Sequence, residues 1–207
     1  MISSAGPGYD PCMAGVKIKI CCISSIDEAR LAISLGAHAV GLVGHMPSGP
    51  GVIGDDLARE IAISISPDIE TFLLTSLEQG DLIADQVEYC GTSTVQVVRH
   101  IDAAEHSVIA KRQPQIRRVQ VIHVEDESAI ELAKTYEPYV HAFLLDSGRP
   151  SAAIAELGGT GRAHDWTISA SIVRAVNRPV YLAGGLTSEN VRQAIERVRP
   201  YGLDLCS

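Results

Sequence analysis

Short aliphatic runs recur along the chain at a nearly constant interval, each separated from the next by an amphipathic stretch of helical spacing. That alternation restricts the fold sharply, because strands joined through helices pair in parallel by right-handed crossovers and form a sheet buried on both faces. Strands are expected at 16–23, 39–43, 70–74, 94–98, 119–123, 142–146, 180–183 and 202–205. Helices are expected near 26–35, 54–65, 78–89, 103–112, 126–135, 167–176 and 187–198, with Ser25, Asp55 and Ser188 as capping residues. Eight strands and seven helices at this spacing point to a closed (β/α)8 TIM barrel in a single domain, although a doubly wound open sheet shares the local pattern. Residues 1–15, carrying Gly6, Pro7, Gly8 and Pro11, read as a loose N-terminal arm, and 16–207 as the barrel domain. The chain stops at Ser207, before an eighth helix, so the expected barrel is one helix short.

Composition agrees with an aliphatic parallel core. Aromatic residues are 4% of the chain and apolar residues 46%, against 20% charged, which is globular rather than disordered. A net charge of −8, with no basic run longer than Arg117-Arg118, argues against a nucleic-acid partner, since binding a polyanion needs clustered cations. No apolar run approaches the length of a membrane span and no secretory signal is evident. Five cysteines, at 12, 21, 22, 90 and 206, have neither disulfide-framework nor metal-site spacing, which suits a reducing cytoplasm.

In such a barrel, chemistry collects where the strands run out at their C-terminal ends. Cys21 and Cys22 follow the first run, and side-chain alternation lets only one of them face the mouth. They are either two small core residues or a core residue beside a functional thiol. Asp146 ends the sixth run and is either a loop cap or an acid or base of the mouth. The glycines of Gly158-Gly159-Thr160-Gly161 and of Leu182-Ala183-Gly184-Gly185-Leu186 leave backbone amides open to an anion. The second cluster carries the stronger case, because it leads from the seventh strand into a helix.

Taken in order, the segments resemble the phosphoribosylanthranilate isomerase family. The resemblance rests on Lys19-Ile20-Cys21, Gly41-Leu42-Val43, Val95-Gln96, Leu145-Asp146-Ser147, the Gly-Gly-Thr-Gly run with Asp165-Trp166, the Leu-Ala-Gly-Gly-Leu run with Asn190-Val191, and Gly202-Leu203-Asp204. It implies an Amadori rearrangement of N-(5-phosphoribosyl)anthranilate in tryptophan biosynthesis, without cofactor or metal. By the resemblance, Asp146 protonates the ring oxygen and Cys21 removes the proton from carbon 2 of the sugar. The phosphate would sit at Gly184 and Gly185, the substrate would also meet Gly159 and Thr160, and Asp204 matches an aspartate facing the substrate.

Four departures from the family pattern stand out. Cys22 replaces a glycine, and Pro50 stands where an arginine of a Ser-x-Arg motif holds the anthranilate carboxylate. The family's Gln-Leu-His-Gly becomes Gln96-Val97-Val98-Arg99, so Arg99 is either a substitute carboxylate partner or a solvated charge. The family continues past Cys206-Ser207 into a last helix, whose absence would leave apolar surface beside the first and seventh helices and favour a homodimer or instability. Pro50 also leaves open a different phosphorylated sugar as substrate, or a non-catalytic metabolite-binding descendant. His100 (with Asp102 and His106) and His123 (with Glu125) imitate metal ligands but read as scattered surface polarity.

Overall fold

In the computed structural model, which describes residues 15–47, 49–148 and 164–206, eight parallel strands pair in the order β1 to β8 and the last closes on the first. The strands are β1 (Lys17–Ile20), β2 (Ala39–Val43), β3 (Glu70–Thr75), β4 (Thr94–Val97), β5 (Arg117–His123), β6 (Ala142–Asp146), β7 (Val180–Leu182) and β8 (Gly202–Leu205). Between them run α1 (Ile26–Ser34), α2 (Asp55–Ser64), α3 (Gly80–Cys90), α4 (Ala103–Arg112), α5 (Ser128–Tyr136), α6 (Trp166–Ala175) and α7 (Val191–Val198). The closed ring excludes the open sheet and bears out the barrel. The seam is in register, with Lys19 opposite Asp204 and Ile20 opposite Leu205. The proposed arm at 1–15 lies outside the described residues except for Gly15.

Alternation sorts the side chains into two cores. Val40, Leu42, Leu73, Val95, Leu145 and Leu182 point outward under the helices. Cys21, Phe72, Leu74, Val119, Leu144, Tyr181 and Ala183 fill the barrel interior. Phe72 and Tyr181 meet there edge to face at 5.8 Å.

Several expected boundaries move for local reasons. β1 ends at Ile20, because Cys22 takes a left-handed backbone (φ 62) that no strand continues through. β7 ends at Leu182, before Gly184 and Gly185, both with positive φ (81 and 60). Ser25 does cap α1, accepting from the Glu28 amide while Glu28 reaches back to the Ser24 amide at 2.7 Å. Asp55 does not cap α2: Gly54 holds that position, and Asp55 instead accepts from the Gln86 side chain at 3.0 Å. Ser188 does not cap α7 either, since that helix begins at Val191. The Asn190 side chain folds back to accept from the Thr187 amide and to donate to the Gly185 carbonyl, tying up the segment expected to be helix.

Among the described residues no helix follows β8. A groove of about 350 Å³ lies beside α1, lined by Ile18, Ile20, Leu31 and Leu35, among others. Leu31 and Leu35 are 60% and 80% exposed, so the apolar surface expected beside α1 is there.

Candidate active site

The mouth of the barrel is organised by a charge inside it. Lys19, on β1, is fully buried, and its ammonium lies 2.7 Å from Oδ1 of Asp204 on the adjacent strand. Burial opposes that charge, but the Asp204 carboxylate and the Cys21 sulfur outweigh it and hold Lys19 above the ordinary lysine range. Cys21 is two residues further along the same face and is buried. Both groups reach the same space over Gly41, where an added Cβ would sit 2.8 Å from the Cys21 sulfur and 3.0 Å from the Lys19 nitrogen. Gly41 is thus a packing requirement of this pair.

Asp146 ends β6 on the other side of the mouth. Burial pushes its carboxyl up to about 6, the Asp204 charge adds to the rise, and the Ser147 amide and Lys19 counter it. Oδ1 of Asp146 accepts from that amide at 2.7 Å. Cys21, Lys19, Asp204 and Asp146 therefore form one electrostatically linked group around the mouth. A carboxyl near 6 beside a thiol and a fixed ammonium can supply and recover protons close to neutrality.

Gly184 and Gly185 lie beside this group, at the end of β7. An added Cβ at Gly184 would stand 2.8 Å from Oγ of Ser147, next to Asp146. The glycine keeps the two strand ends in contact and leaves its peptide groups unscreened. Gly159 and Thr160 lie outside the described residues, as does Ser48.

Arg99 follows β4 and is joined to Glu78 at 3.2 Å. The side chain is about one-third exposed, and its Nε is buried with no partner among the described residues. Among the described residues no hydrogen bond or ion pair links it to Cys21 or Asp146. Pro50 lies over the Cys21-Cys22 turn, its carbonyl accepting from the Cys22 thiol at 3.7 Å. Cys22 itself has its sulfur 2.7 Å from that of Cys206, beyond β8.

Two of these histidines are not surface polarity: His106 and His123 are buried, held by Gln120 and by the Val98 carbonyl, whereas His100 is exposed, its ring tilted against His123 at 5.3 Å. Burial lowers His106, to about 4, and His123, so these two are neutral packing groups at pH 7. Among the described residues no group of three or more His, Cys, Asp or Glu side chains is arranged to hold a metal. The functional residue that sequence reasoning passed over is Lys19. The signal was a lysine inside an aliphatic strand, two residues before Cys21 and hence on its face.

Comparison with known proteins points to one family. A family model described as N-(5'phosphoribosyl)anthranilate (PRA) isomerase matches residues 75–207. The N-(5'-phosphoribosyl)anthranilate isomerase 2 of Methanosarcina mazei is 39% identical over 195 residues, which is 93% of this chain and 84% of that protein. The isomerase of Pelobacter propionicus is 37% identical, covering 93% of this chain and 85% of its own. Among solved structures, phosphoribosyl anthranilate isomerase from Thermotoga maritima superposes with a TM-score of 0.79 at 30% identity, covering 93% of this chain and 88% of that one. Another, in complex with reduced 1-(o-carboxyphenylamino)-1-deoxyribulose 5-phosphate, gives 0.76 at 28% identity with coverage of 93% and 88%.

Proposed function

The chain belongs to the N-(5'-phosphoribosyl)anthranilate isomerase family, and from that premise we propose that it isomerises N-(5'-phosphoribosyl)anthranilate to the 1-deoxyribulose 5-phosphate product of tryptophan biosynthesis with Cys21 as base and Asp146 as acid. The observation that carries the assignment is the linked group at the mouth: Asp146 held near 6, with the Lys19–Asp204 ion pair between it and Cys21. Asp146 in its protonated form donates to the ring oxygen, and the sugar opens to a Schiff base. Cys21 then takes the proton from carbon 2, leaving an enol that relaxes to the ketone. Lys19 keeps its proton throughout and acts by charge, favouring the spent carboxylate of Asp146. The reaction moves protons within one molecule, and the residues at hand provide both transfers.

The phosphate is assigned to the Gly184-Gly185 turn, with Gly159 and Thr160 as further contacts and Asp204 facing the substrate through its pair with Lys19. Arg99 is the cation assigned to the anthranilate carboxylate, in place of the arginine displaced by Pro50. It is the bidentate group whose Nε is already unpaired at this end of the barrel, and Glu78 competes for it. That competition supports a second reading, a phosphorylated sugar without a carboxylated ring. The cytoplasm is the compartment assigned, and pairing of two copies through the groove beside α1 is the assembly that exposed Leu31 and Leu35 support. The phosphoribosylanthranilate isomerase of Thermotoga maritima is dimeric. Among the described residues, no helix is long and apolar enough to cross a membrane.

The test is a fluorescence assay of phosphoribosylanthranilate consumption. Turnover that is lost in Cys21→Ala and in Asp146→Ala, with both variants folded, is the expected result. No turnover by the folded parent protein would overturn the substrate assignment, and loss in Cys22→Ala but not Cys21→Ala would overturn the base.

A further inference from the structure

Beside the reacting thiol lies a second sulfur arrangement that the isomerisation does not use. The Cys22 and Cys206 sulfurs are in contact at 2.7 Å, although the residues are 184 positions apart in the chain. Both are free thiols. They lie at the seam where β1 closes on β8, with the Cys21 amide bonded to the Leu205 carbonyl at 2.7 Å and holding the two strand ends together. Adjacent strands are about 4.8 Å apart and one residue of offset adds about 3.3 Å, so the two Cα atoms are separated by roughly 6 Å, inside the usual range for a disulfide. The left-handed backbone at Cys22 (φ 62) interrupts the strand and brings its side chain to Cys206 and the Pro50 carbonyl.

We propose that Cys22 and Cys206 form a thiol–disulfide exchange site that takes a small-molecule disulfide of the glutathione class as oxidant and locks the barrel seam beside Cys21. The two thiols are unequal in the way exchange requires. Cys206 is exposed and reachable, the thiol that an oxidant meets first. Cys22 is partly buried behind it and is placed to resolve a mixed disulfide on Cys206. The Cys206 thiolate attacks one sulfur of the oxidant, forming a mixed disulfide and expelling one thiolate. Cys22 then loses its proton to solvent and attacks the Cys206 sulfur, breaking the mixed disulfide and expelling the second thiolate. Two protein thiols give up two electrons and two protons, and one small disulfide becomes two thiols. Cys21 keeps its thiol throughout, and Cys90, fully buried and pushed up to about 12, takes no part.

The experiment treats the whole folded protein with oxidised glutathione at pH 8, alkylates remaining thiols under denaturing conditions, and maps the peptides by mass spectrometry. Expected is a loss of 2 Da reversed by dithiothreitol, with the peptides bearing Cys22 and Cys206 joined. The link should persist in Cys21→Ser and vanish in Cys22→Ser and in Cys206→Ser. Because the bond closes a loop of almost the whole described chain, the oxidised protein should melt roughly 5 °C or more above the reduced one. A stable glutathione adduct on either residue, a Cys21–Cys22 link, or cross-linked protein with an unchanged Tm would overturn the proposal.

Discussion

Replacing Asp146 by asparagine should make the protein more stable at alkaline pH while removing its turnover. The structure places the Asp146 carboxyl at about 6 against an ordinary value of 3.8, chiefly because burial disfavours its charge. A rise of that size corresponds to about 3 kcal/mol. The sign follows from proton counting: between 3.8 and 6 the folded state holds a proton that the unfolded chain has released, so stability falls as pH rises through this window. Above it, the native protein carries the full cost of an ionised carboxylate. Solvent at the mouth and the Ser147 amide reduce the effect that asparagine can recover, so a gain of about 1–3 kcal/mol is expected at pH 8. The asparagine carbonyl can still accept from Ser147, which keeps the local turn. Urea unfolding of both proteins at pH 4 and pH 8 measures the difference, with other titrations cancelling between them to first order. The gain should be present at pH 8 and nearly absent at pH 4. A difference that is flat between the two, or a variant less stable at pH 8, would refute the reasoning that burial raises this carboxyl.

Lys19→Met leaves Asp204 without its buried partner and should cost about 3–5 kcal/mol in denaturant unfolding. Lys19→Met with Asp204→Leu should recover most of that stability and none of the turnover, since the charge beside Cys21 stays absent. Cys22→Gly should be neutral to about 1 kcal/mol stabilising in thermal unfolding, because glycine adopts φ 62 without strain. Cys22→Val should be destabilising by more than 1 kcal/mol, since a β-branched residue tolerates that backbone least. Arg99→Ala should raise KM for the carboxylate-bearing substrate about tenfold or more, whereas Glu78→Ala should lower it by releasing the guanidinium. An unchanged KM in both would remove Arg99 from the site and favour a substrate without a carboxylated ring.

The limits of sequence reasoning appear at particular residues. Cys21 and Asp146 were visible as polar residues closing aliphatic runs, and the resemblance gave each a role. Lys19 was quoted in the same motif without one. An internal lysine reads as an exception in a strand until its partner is known, and Asp204 lies at the other end of the chain. The histidines show the reverse error: His106 and His123 looked like surface polarity because nothing local announces Gln120 or the Val98 carbonyl. Asp55 and Ser188 have the composition of helix caps, but the Gln86 side chain claims the first, and the Asn190 fold-back starts the seventh helix past the second. In each case a long-range or tertiary partner overrode a local preference.

The hydrophobic period along the chain was enough to set the number and direction of the strands, because burial on both faces and right-handed crossovers make strands joined through helices parallel. It also placed Cys21 and Asp146 at strand ends. Only the closed ring decided that the ends of β1 and β8 are neighbours, and with that came the Lys19–Asp204 pair, the rise of Asp146 to about 6, and the contact of Cys22 with Cys206. Periodicity is a local property read along one strand. Charge pairing, desolvation and sulfur contact depend on distances between residues that the chain keeps far apart until the barrel closes.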